Sequence, residues 1–178
     1  MFSDAFDITM GIEGGYSNDA QDPGGETYRG ISRRFFPSWP GWALIDKSGP
    51  GAVGLDPLTE SFYKQNFWDR FSGDDLPPEV AAEMFDSAVN CGVGTAAKWL
   101  QRALNLLNRD GKDYPEVVED GGIGPATLRS LQALVNMEGT EVLLKVLNIL
   151  QGAHYLEIMQ KSPSQERWAR GWLKRVAI

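Results

Sequence analysis

Apolar residues recur at helical spacing along most of the chain from residue 56 onward. A residue that favours a helix start precedes each apolar stripe, because Ser, Thr and Asp cap a first turn and Pro fits its first position. The predicted starts are Asp56, Pro78, Thr95, Pro125, Thr140 and Ser164. The stripe after Thr140 continues to Lys161. The pattern therefore predicts that the last two thirds of the chain are almost entirely helical.

The first 55 residues follow a different pattern. Phe6, Met10 and Glu13 are spaced as one face of a short helix from Ser3 to Glu13, which Gly14-Gly15 would end. Residues 16–31 are rich in turn-forming residues and predict a small hairpin, and residues 35–55, rich in Pro, Gly and Trp, predict a long ordered loop. The expected fold class is mainly α, of the α+β type, with one β-hairpin beside a helical bundle.

The amino-acid composition excludes several kinds of metal site and disulfide. The chain has 178 residues with one cysteine, Cys91, and one histidine, His154, so an internal disulfide and a multi-histidine zinc site are excluded. The acidic residues around Asp110 and Asp120 do not follow the spacing of an EF-hand. We therefore expect no cofactor and no metal.

Net charge and hydropathy limit the binding partners and the cellular location that we expect for the chain. The formal net charge of −7 argues against a nucleic-acid binder. No segment approaches the roughly 18 apolar residues of a membrane helix, and the first residues lack the basic region of a signal peptide. We expect synthesis in the cytoplasm without a signal peptide, no membrane insertion and a monomeric chain.

Three residues near the N-terminus carry the candidate chemistry. Glu13 ends the first predicted helix, Asp22 follows nine residues later, and Thr27 follows five residues after that. Glycosidic bonds are cleaved by a pair of carboxyl groups, one protonated and one ionised. Glu13, beside apolar residues, is the candidate acid, Asp22 is the candidate ionised partner, and Thr27 is placed to hold the attacking water. By spacing alone, Asp22 remains open to a second interpretation as a simple turn residue in Asp-Pro-Gly-Gly.

The run GIEGGYSNDAQDPGGETYRGIS resembles the signature of glycoside hydrolase family 108, with its Glu-Gly-Gly-Tyr motif. The resemblance implies an N-acetylmuramidase of the kind found in phage-type endolysins and secretion-activator-like proteins, with Glu13 as the catalytic acid. The order of Glu, Asp and Thr is also similar to that of tailed-phage lysozymes. Thr27 lies about one residue closer to the Glu than in that pattern.

The second half carries a resemblance of its own. FDSAVNCGVGTAAKWLQRALN, followed by DGGIGPATLRSL and WARGWLKRV, is similar to the predicted peptidoglycan-binding module that accompanies family 108. Its loop NLLNRDGKDYPEVVEDG is longer than the pattern suggests. The implied organisation is a muramidase module in residues 1–88 and a peptidoglycan-binding module in residues 89–178, packed together as one lysozyme-like unit.

Five further residues are candidates for substrate binding. Aromatic rings stack on sugars, and the candidates near the hairpin are Tyr16, Tyr28, Trp39 and Trp42. Asn90 ends a predicted helix whose counterpart in lysozyme-like proteins faces the cleft. Each has an alternative interpretation: the aromatic residues as core, and Asn90 as a helix cap.

These features lead to one functional hypothesis and two rivals. The hypothesis is a bacteriolytic peptidoglycan hydrolase that cleaves the β-1,4 bond between N-acetylmuramic acid and N-acetylglucosamine. It would act in the periplasm or cell wall after release through a holin or another export system. The rivals are a lytic transglycosylase acting on the same bond, and a non-catalytic wall-binding or secretion-accessory protein.

Overall fold

The computed structural model describes residues 1–11, 15–18 and 25–177. The chain divides into two compact units, Met1–Arg70 and Phe71–Ile178. Both are dominated by helices, and the first also contains a small antiparallel sheet. The predicted mainly α fold with a small β element is therefore confirmed.

The first unit begins with helix α1, Phe2–Met10, which buries Ala5, Phe6 and Met10 along one face. The α-helix ends at Met10, three residues before the predicted end at Glu13, and Gly11 caps it. Glu13 itself lies outside the described residues. The apolar face of α1 was thus predicted correctly, and its C-terminal end was placed too late.

The predicted hairpin is a three-stranded antiparallel sheet: β1 (Tyr16–Ser17), β2 (Thr27–Tyr28) and β3 (Ile31–Ser32), paired in chain order. Arg29 and Gly30 connect β2 to β3 with φ angles of 44° and 82°. Two consecutive left-handed residues form the tight turn that suits the twist of a hairpin. The Tyr63 hydroxyl donates to the Arg29 carbonyl at 2.7 Å and fixes this turn from below.

Residues 35–55 are not only a loop, as their Pro and Gly content had suggested. They contain helix α2, Gly41–Ser48. Pro40 precedes its first turn, Trp42 and Ile45 are buried on one face, and Gly49 follows its last residue. The breakers lie at the two ends of the helix, where Pro and Gly are favoured rather than disruptive.

Helix α3, Leu55–Tyr63, continues into a π-helical turn, Lys64–Trp68, and a short 3₁₀ segment, Asp69–Phe71. The wider π turn carries Trp68 into the core, where its side chain is completely buried. Its ring meets Phe2 edge to face at 5.4 Å between centroids. This contact joins the end of the α3 segment to the start of α1.

The second unit is a helical bundle of α4 (Pro78–Cys91), α5 (Val93–Leu107), α6 (Pro125–Glu138), α7 (Glu141–Lys161) and α8 (Ala169–Leu173). The predicted starts at Pro78 and Pro125, and the cap at Thr140, coincide with the observed ends. Helices α4, α5 and α7 contact one another and enclose the core. Its fully buried apolar side chains include Met84, Phe85, Leu100, Leu104 and Leu143.

The long loop between α5 and α6 is held by three amide side chains, here called the amide clasp: Gln101 and Asn105 on α5, and Asn108 directly after its last residue. Gln101 donates to the Gly122 carbonyl at 2.9 Å and accepts from the Gly121 N–H at 2.8 Å. Asn105 makes the same reciprocal pair with the backbone of Val117, at 2.9 Å in both directions. The Asn108 oxygen accepts from the Gly111 N–H at 3.0 Å.

Gly121 shows how close this loop comes to α5. A Cβ there would lie 3.0 Å from the Gly94 carbonyl oxygen, and its φ of 82° is left-handed. Both constraints favour glycine. The segment that reads as a linker is therefore an ordered part of the second unit.

A group of polar side chains is buried between α4, α7 and the C-terminal segment. Arg175 donates to Asp86 at 2.5 Å, and Gln151 donates to the same carboxylate at 3.0 Å. Within the described chain, the Glu83 Oε1 atom has no hydrogen-bond partner. Burial, reinforced by the nearby charge of Asp86, raises the pKa of Glu83 to about 7.

Candidate active site

The described part of the candidate motif lies on the three-stranded sheet. Glu13 and Asp22, the two predicted catalytic carboxyl groups, lie outside the described residues. Tyr16 on β1 and Thr27 on β2 lie within them. The described geometry of the site is therefore that of strands β1 and β2, which lie next to Glu13 and Asp22 in the sequence.

Thr27 is half-buried in β2, opposite Ser17 on one side and Ser32 on the other. Its hydroxyl donates to the Gly25 carbonyl at 3.1 Å. Because the proton is engaged there, the oxygen lone pairs are left to accept from another O–H group. A hydroxyl in this state suits an acceptor for water, which is the role that the sequence suggested.

Tyr16 is 39% exposed and donates its hydroxyl to Glu26 Oε1 at 3.0 Å. This hydrogen bond to a carboxylate raises the pKa of the Tyr16 phenol, so the hydroxyl stays protonated. The bond links β1 to the residue immediately before β2. It therefore fixes both ends of the segment that contains Asp22.

Arg33 completes what we call the hairpin network: Tyr16, Glu26, Arg33 and Asp46. Its guanidinium donates to Glu26 Oε2 at 2.9 Å and to both oxygens of Asp46 at 2.7 and 2.6 Å. These hydrogen bonds, with a smaller contribution from the Arg33 charge, hold the pKa of Asp46 below the usual range. Arg33 also lies over the Trp42 ring, 5.3 Å from its centroid. The network ties the sheet to α2.

The sequence pattern does contain a signal for the pairing of Glu26 with Arg33, although Glu26 was not among the predicted site residues. In an antiparallel pair with Thr27 opposite Ser32, the next pair outward is Glu26 opposite Arg33. The backbone confirms this register, because the Arg33 N–H donates to the Glu26 carbonyl at 2.8 Å. An acid and a base directly opposite each other on a hairpin are expected to pair.

The three other aromatic candidates lie in the first unit and are mostly buried. Tyr28 points to the side of β2 opposite Thr27 and stacks on Trp39 with ring centroids 5.8 Å apart. Trp39 donates its indole N–H to the Leu58 carbonyl at 3.3 Å, and Trp42 donates to the Phe36 carbonyl at 2.8 Å. Their substrate contacts stay predictions, and Trp42, only 2% exposed, offers the least surface for one.

Asn90 lies on the last turn of α4 in the second unit and is half-buried. Its amide donates to the Asp86 carbonyl one turn earlier at 2.8 Å. One amide hydrogen is thus used within the helix, and the side-chain oxygen is an acceptor. Its role in substrate binding stays a prediction.

Neither a metal nor a membrane segment is indicated by the described residues. In residues 1–11, 15–18 and 25–177, no group of three His, Cys, Asp or Glu side chains could hold a metal ion. No helix in the same ranges is long and apolar enough to cross a membrane.

Comparison with known proteins accounts for nearly the whole chain. Residues 6–92 match the family model described as glycosyl hydrolase 108, and residues 95–177 match the model described as predicted peptidoglycan domain. Among solved structures, the chain is similar to that of Brucella abortus SagA, with a TM-score of 0.62 and 24% sequence identity. That match covers 98% of this chain and 92% of SagA, and it supports the fold. No curated protein matches the chain.

The two family matches meet at the boundary between α4 and α5, with residues 93 and 94 between them. The motif residues that flank Glu13 and Asp22 all fall in the first match, and the amide clasp falls in the second. The chain therefore contains a glycoside hydrolase family 108 domain, of the lysozyme-like peptidoglycan hydrolase kind, in residues 6–92, followed by a predicted peptidoglycan domain in residues 95–177.

Proposed function

We propose that this hydrolase is an N-acetylmuramidase that cleaves the β-1,4 bond between N-acetylmuramic acid and N-acetylglucosamine. The observation that carries the proposal is the Glu-Gly-Gly-Tyr motif inside the family 108 match. Tyr16 of this motif is hydrogen-bonded to Glu26, immediately before Thr27. The motif is thus joined to the strand that bears the candidate water-binding hydroxyl.

The proposed mechanism divides the work between two carboxyl groups. Glu13 donates a proton to the leaving glycosidic oxygen, and Asp22, ionised, activates water or stabilises the oxocarbenium-like state. Thr27 accepts a hydrogen bond from the attacking water. No metal or cofactor takes part in this scheme, because proton transfer and charge stabilisation are supplied by side chains.

The test is Glu13→Gln, which keeps the size of the side chain and removes its proton. Lysis of purified walls should fall by about three to four orders of magnitude, while the circular dichroism spectrum and the melting temperature stay unchanged. A folded variant that clears walls at the wild-type rate would refute the assignment.

The second carboxyl group has a matched control. Asp22→Asn should lose far more activity than Asp19→Asn, because both lie in the same turn-rich segment and only Asp22 belongs to Asp-Pro-Gly-Gly-Glu-Thr. Equal losses would leave Asp22 as a turn residue.

Mass spectrometry of the released sugars separates this proposal from its main rival. A lytic transglycosylase needs one acid and no water, and it leaves a 1,6-anhydro end on the muramic acid. We expect reducing ends, because the motif supplies a second carboxylate and a hydroxyl for water. Products with only anhydro ends would overturn the hydrolytic mechanism and keep Glu13 as the acid.

The same proposal extends to the organisation of the chain. We propose that the two halves fold as one lysozyme-like unit and act as a monomer in the periplasm or cell wall, after release by a holin or another export system. The family 108 match includes α4, whose buried Met84 and Phe85 belong to the core shared with α5 and α7. A fragment ending at residue 92 would expose that face and is expected not to fold.

A further inference from the structure

A cavity of about 360 Å³ opens in the first unit between the segment before α2 and the side of α3. It has the size range of small-molecule sites, and one pyranose ring with an acetamido group fits such a volume. Of the residues in the candidate motif, neither Tyr16 nor Thr27 lines it. Trp39, one of the aromatic candidates for substrate binding, does line the cavity.

The inner wall of the cavity is apolar and rigid. It is formed by Phe36, Trp39, Leu58 and Phe62. Phe36 meets Phe62 edge to face at 4.7 Å, and Trp39 is held by its stack on Tyr28 and its hydrogen bond to the Leu58 carbonyl. A wall fixed in this way loses little side-chain freedom when a ligand packs on it.

The rim of the cavity is polar, and the described residues that form it are uncharged. It consists of Ser38, Ser61, Gln65 and Asn66, all exposed. Gln65 donates to the Ser61 hydroxyl at 3.1 Å, and Asn66 donates to the Phe62 carbonyl at 2.9 Å. The amide oxygens of Gln65 and Asn66 are acceptors, and the four side chains together offer donors and acceptors to a ligand with hydroxyl and amide groups.

An apolar wall with an uncharged polar rim favours one of the two sugars of the bacterial cell wall over the other. N-acetylglucosamine is neutral, with apolar C–H faces, hydroxyl groups and one acetamido group. N-acetylmuramic acid adds a lactyl group that bears a carboxylate or a peptide. Among the described residues, none that lines the cavity is a Lys or Arg able to pair with a carboxylate, and burying an unpaired charge is costly.

We propose that this cavity is a saccharide pocket that binds an N-acetylglucosamine residue of the glycan strand. The inference rests on the proposed function for its choice of polymer. It assigns the wall contact to Phe36, Trp39 and Phe62, and the hydrogen bonds to the uncharged rim. It adds a glucosamine-selective contact to an enzyme whose second half is a predicted peptidoglycan domain.

The experiment uses the full chain carrying Glu13→Gln and the β-1,4-linked trimer of N-acetylglucosamine as probe. Titration is followed through the indole N–H signals of the six tryptophans in ¹H–¹⁵N spectra. We expect the Trp39 signal to shift with the trimer. Filling the cavity with Ser61→Phe should weaken this binding about tenfold or more, whereas Ser48→Phe, at an exposed position that does not line the cavity, should not.

A milder variant protects the test against misfolding. Gln65→Leu removes rim polarity at an exposed position and should weaken binding about threefold, with an unchanged melting temperature. No shift of Trp39 up to about 10 mM trimer, or equal affinity in the Ser61→Phe and Ser48→Phe variants, would overturn the pocket. Binding is read without hydrolysis, so loss of the pocket and loss of the muramidase assignment give different results.

Discussion

Two irregular regions of this protein are fixed by opposite means. The hairpin network of the first unit uses charges: Arg33 lies between Glu26 and Asp46 near the surface. The amide clasp of the second unit uses neutral side chains, and its Gln101 and Asn108, which also donate to the carboxylates of Asp120 and Glu116, are almost completely buried. Exposed ion pairs are weak and sensitive to salt, whereas a buried amide that satisfies backbone groups is costly to remove. The difference predicts that the clasp determines stability and the network determines geometry.

The largest expected effect on stability comes from breaking the clasp. Gln101→Leu keeps the volume of the side chain but removes its hydrogen bonds to the Gly121 N–H, the Gly122 carbonyl and the Asp120 carboxylate. Loss of these three hydrogen bonds should cost about 2 to 4 kcal/mol in the free energy of unfolding. Urea denaturation measures this. The control is Gln132→Leu, since Gln132 is exposed and, within the part of the chain that the structure describes, bonds only to Asn136; it should cost under about 0.5 kcal/mol. Similar midpoints for the two variants would contradict the prediction.

The second effect comes from Glu83, a buried acid in the same unit as the clasp. Its pKa is raised from 4.5 to about 7, so the native state favours the protonated form. The stabilisation is fully present below pH 4.5 and is lost as the pH rises to about 7, by an amount on the order of 3 kcal/mol. The groups that face Glu83 are Asp86 and Ser87 on α4 and Asn148 on α7, and Arg175 pairs with Asp86.

Glu83→Gln tests this dependence. The variant should lose the fall in stability between pH 4.5 and 7 and should melt several degrees above the wild type at pH 8. Melting curves at intervals of about half a pH unit show the slope directly. A wild-type protein whose stability is level across this range would show that Glu83 titrates normally.

The smallest effect on stability, with a larger one on activity, is expected in the hairpin network. Glu26→Ala and Asp46→Ala each remove one carboxylate from Arg33, and each should change the melting temperature by less than about 3 °C. Only Glu26 also accepts from Tyr16 and precedes Thr27. Wall lysis should therefore fall about tenfold in kcat for Glu26→Ala and less than about twofold for Asp46→Ala, because misplaced reacting groups cost rate. Equal kcat values for Glu26→Ala and Asp46→Ala would show that Glu26 forms an ordinary surface ion pair with no effect on catalysis.

What the sequence predicted well is what local patterns determine. Pro78 and Pro125 open helices at the predicted positions, because proline fits a first turn whatever surrounds it. Helix α2 was missed, because Pro40 and Gly49 read as loop residues until their places at its two ends are known. The burial of Trp39 and Trp42 depends on neighbours distant in sequence, so spacing leaves open whether they bind substrate or fill the core.

The amide clasp and the candidate site show a further limit. Gln101, Asn105 and Asn108 recur at helical spacing, which is a readable signal, but only a folded loop shows what they bind. Glu26 could be derived from hairpin register, whereas the raised pKa of Glu83 could not, because burial of an acid among polar neighbours leaves no pattern in the sequence. The roles of Glu13 and Asp22 stay predictions that rest on the motif.

The π-helical turn Lys64–Trp68 has a consequence for how this chain tolerates changes in length. A π turn closes with i→i+5 hydrogen bonds and so holds one residue more than an α turn. Deleting one residue between Lys64 and Asn66 would close this turn to an α turn and keep the direction of Trp68 towards Phe2. Relatives that are one residue shorter here should therefore keep the tryptophan, and the gap in an alignment belongs at the π turn rather than within α3.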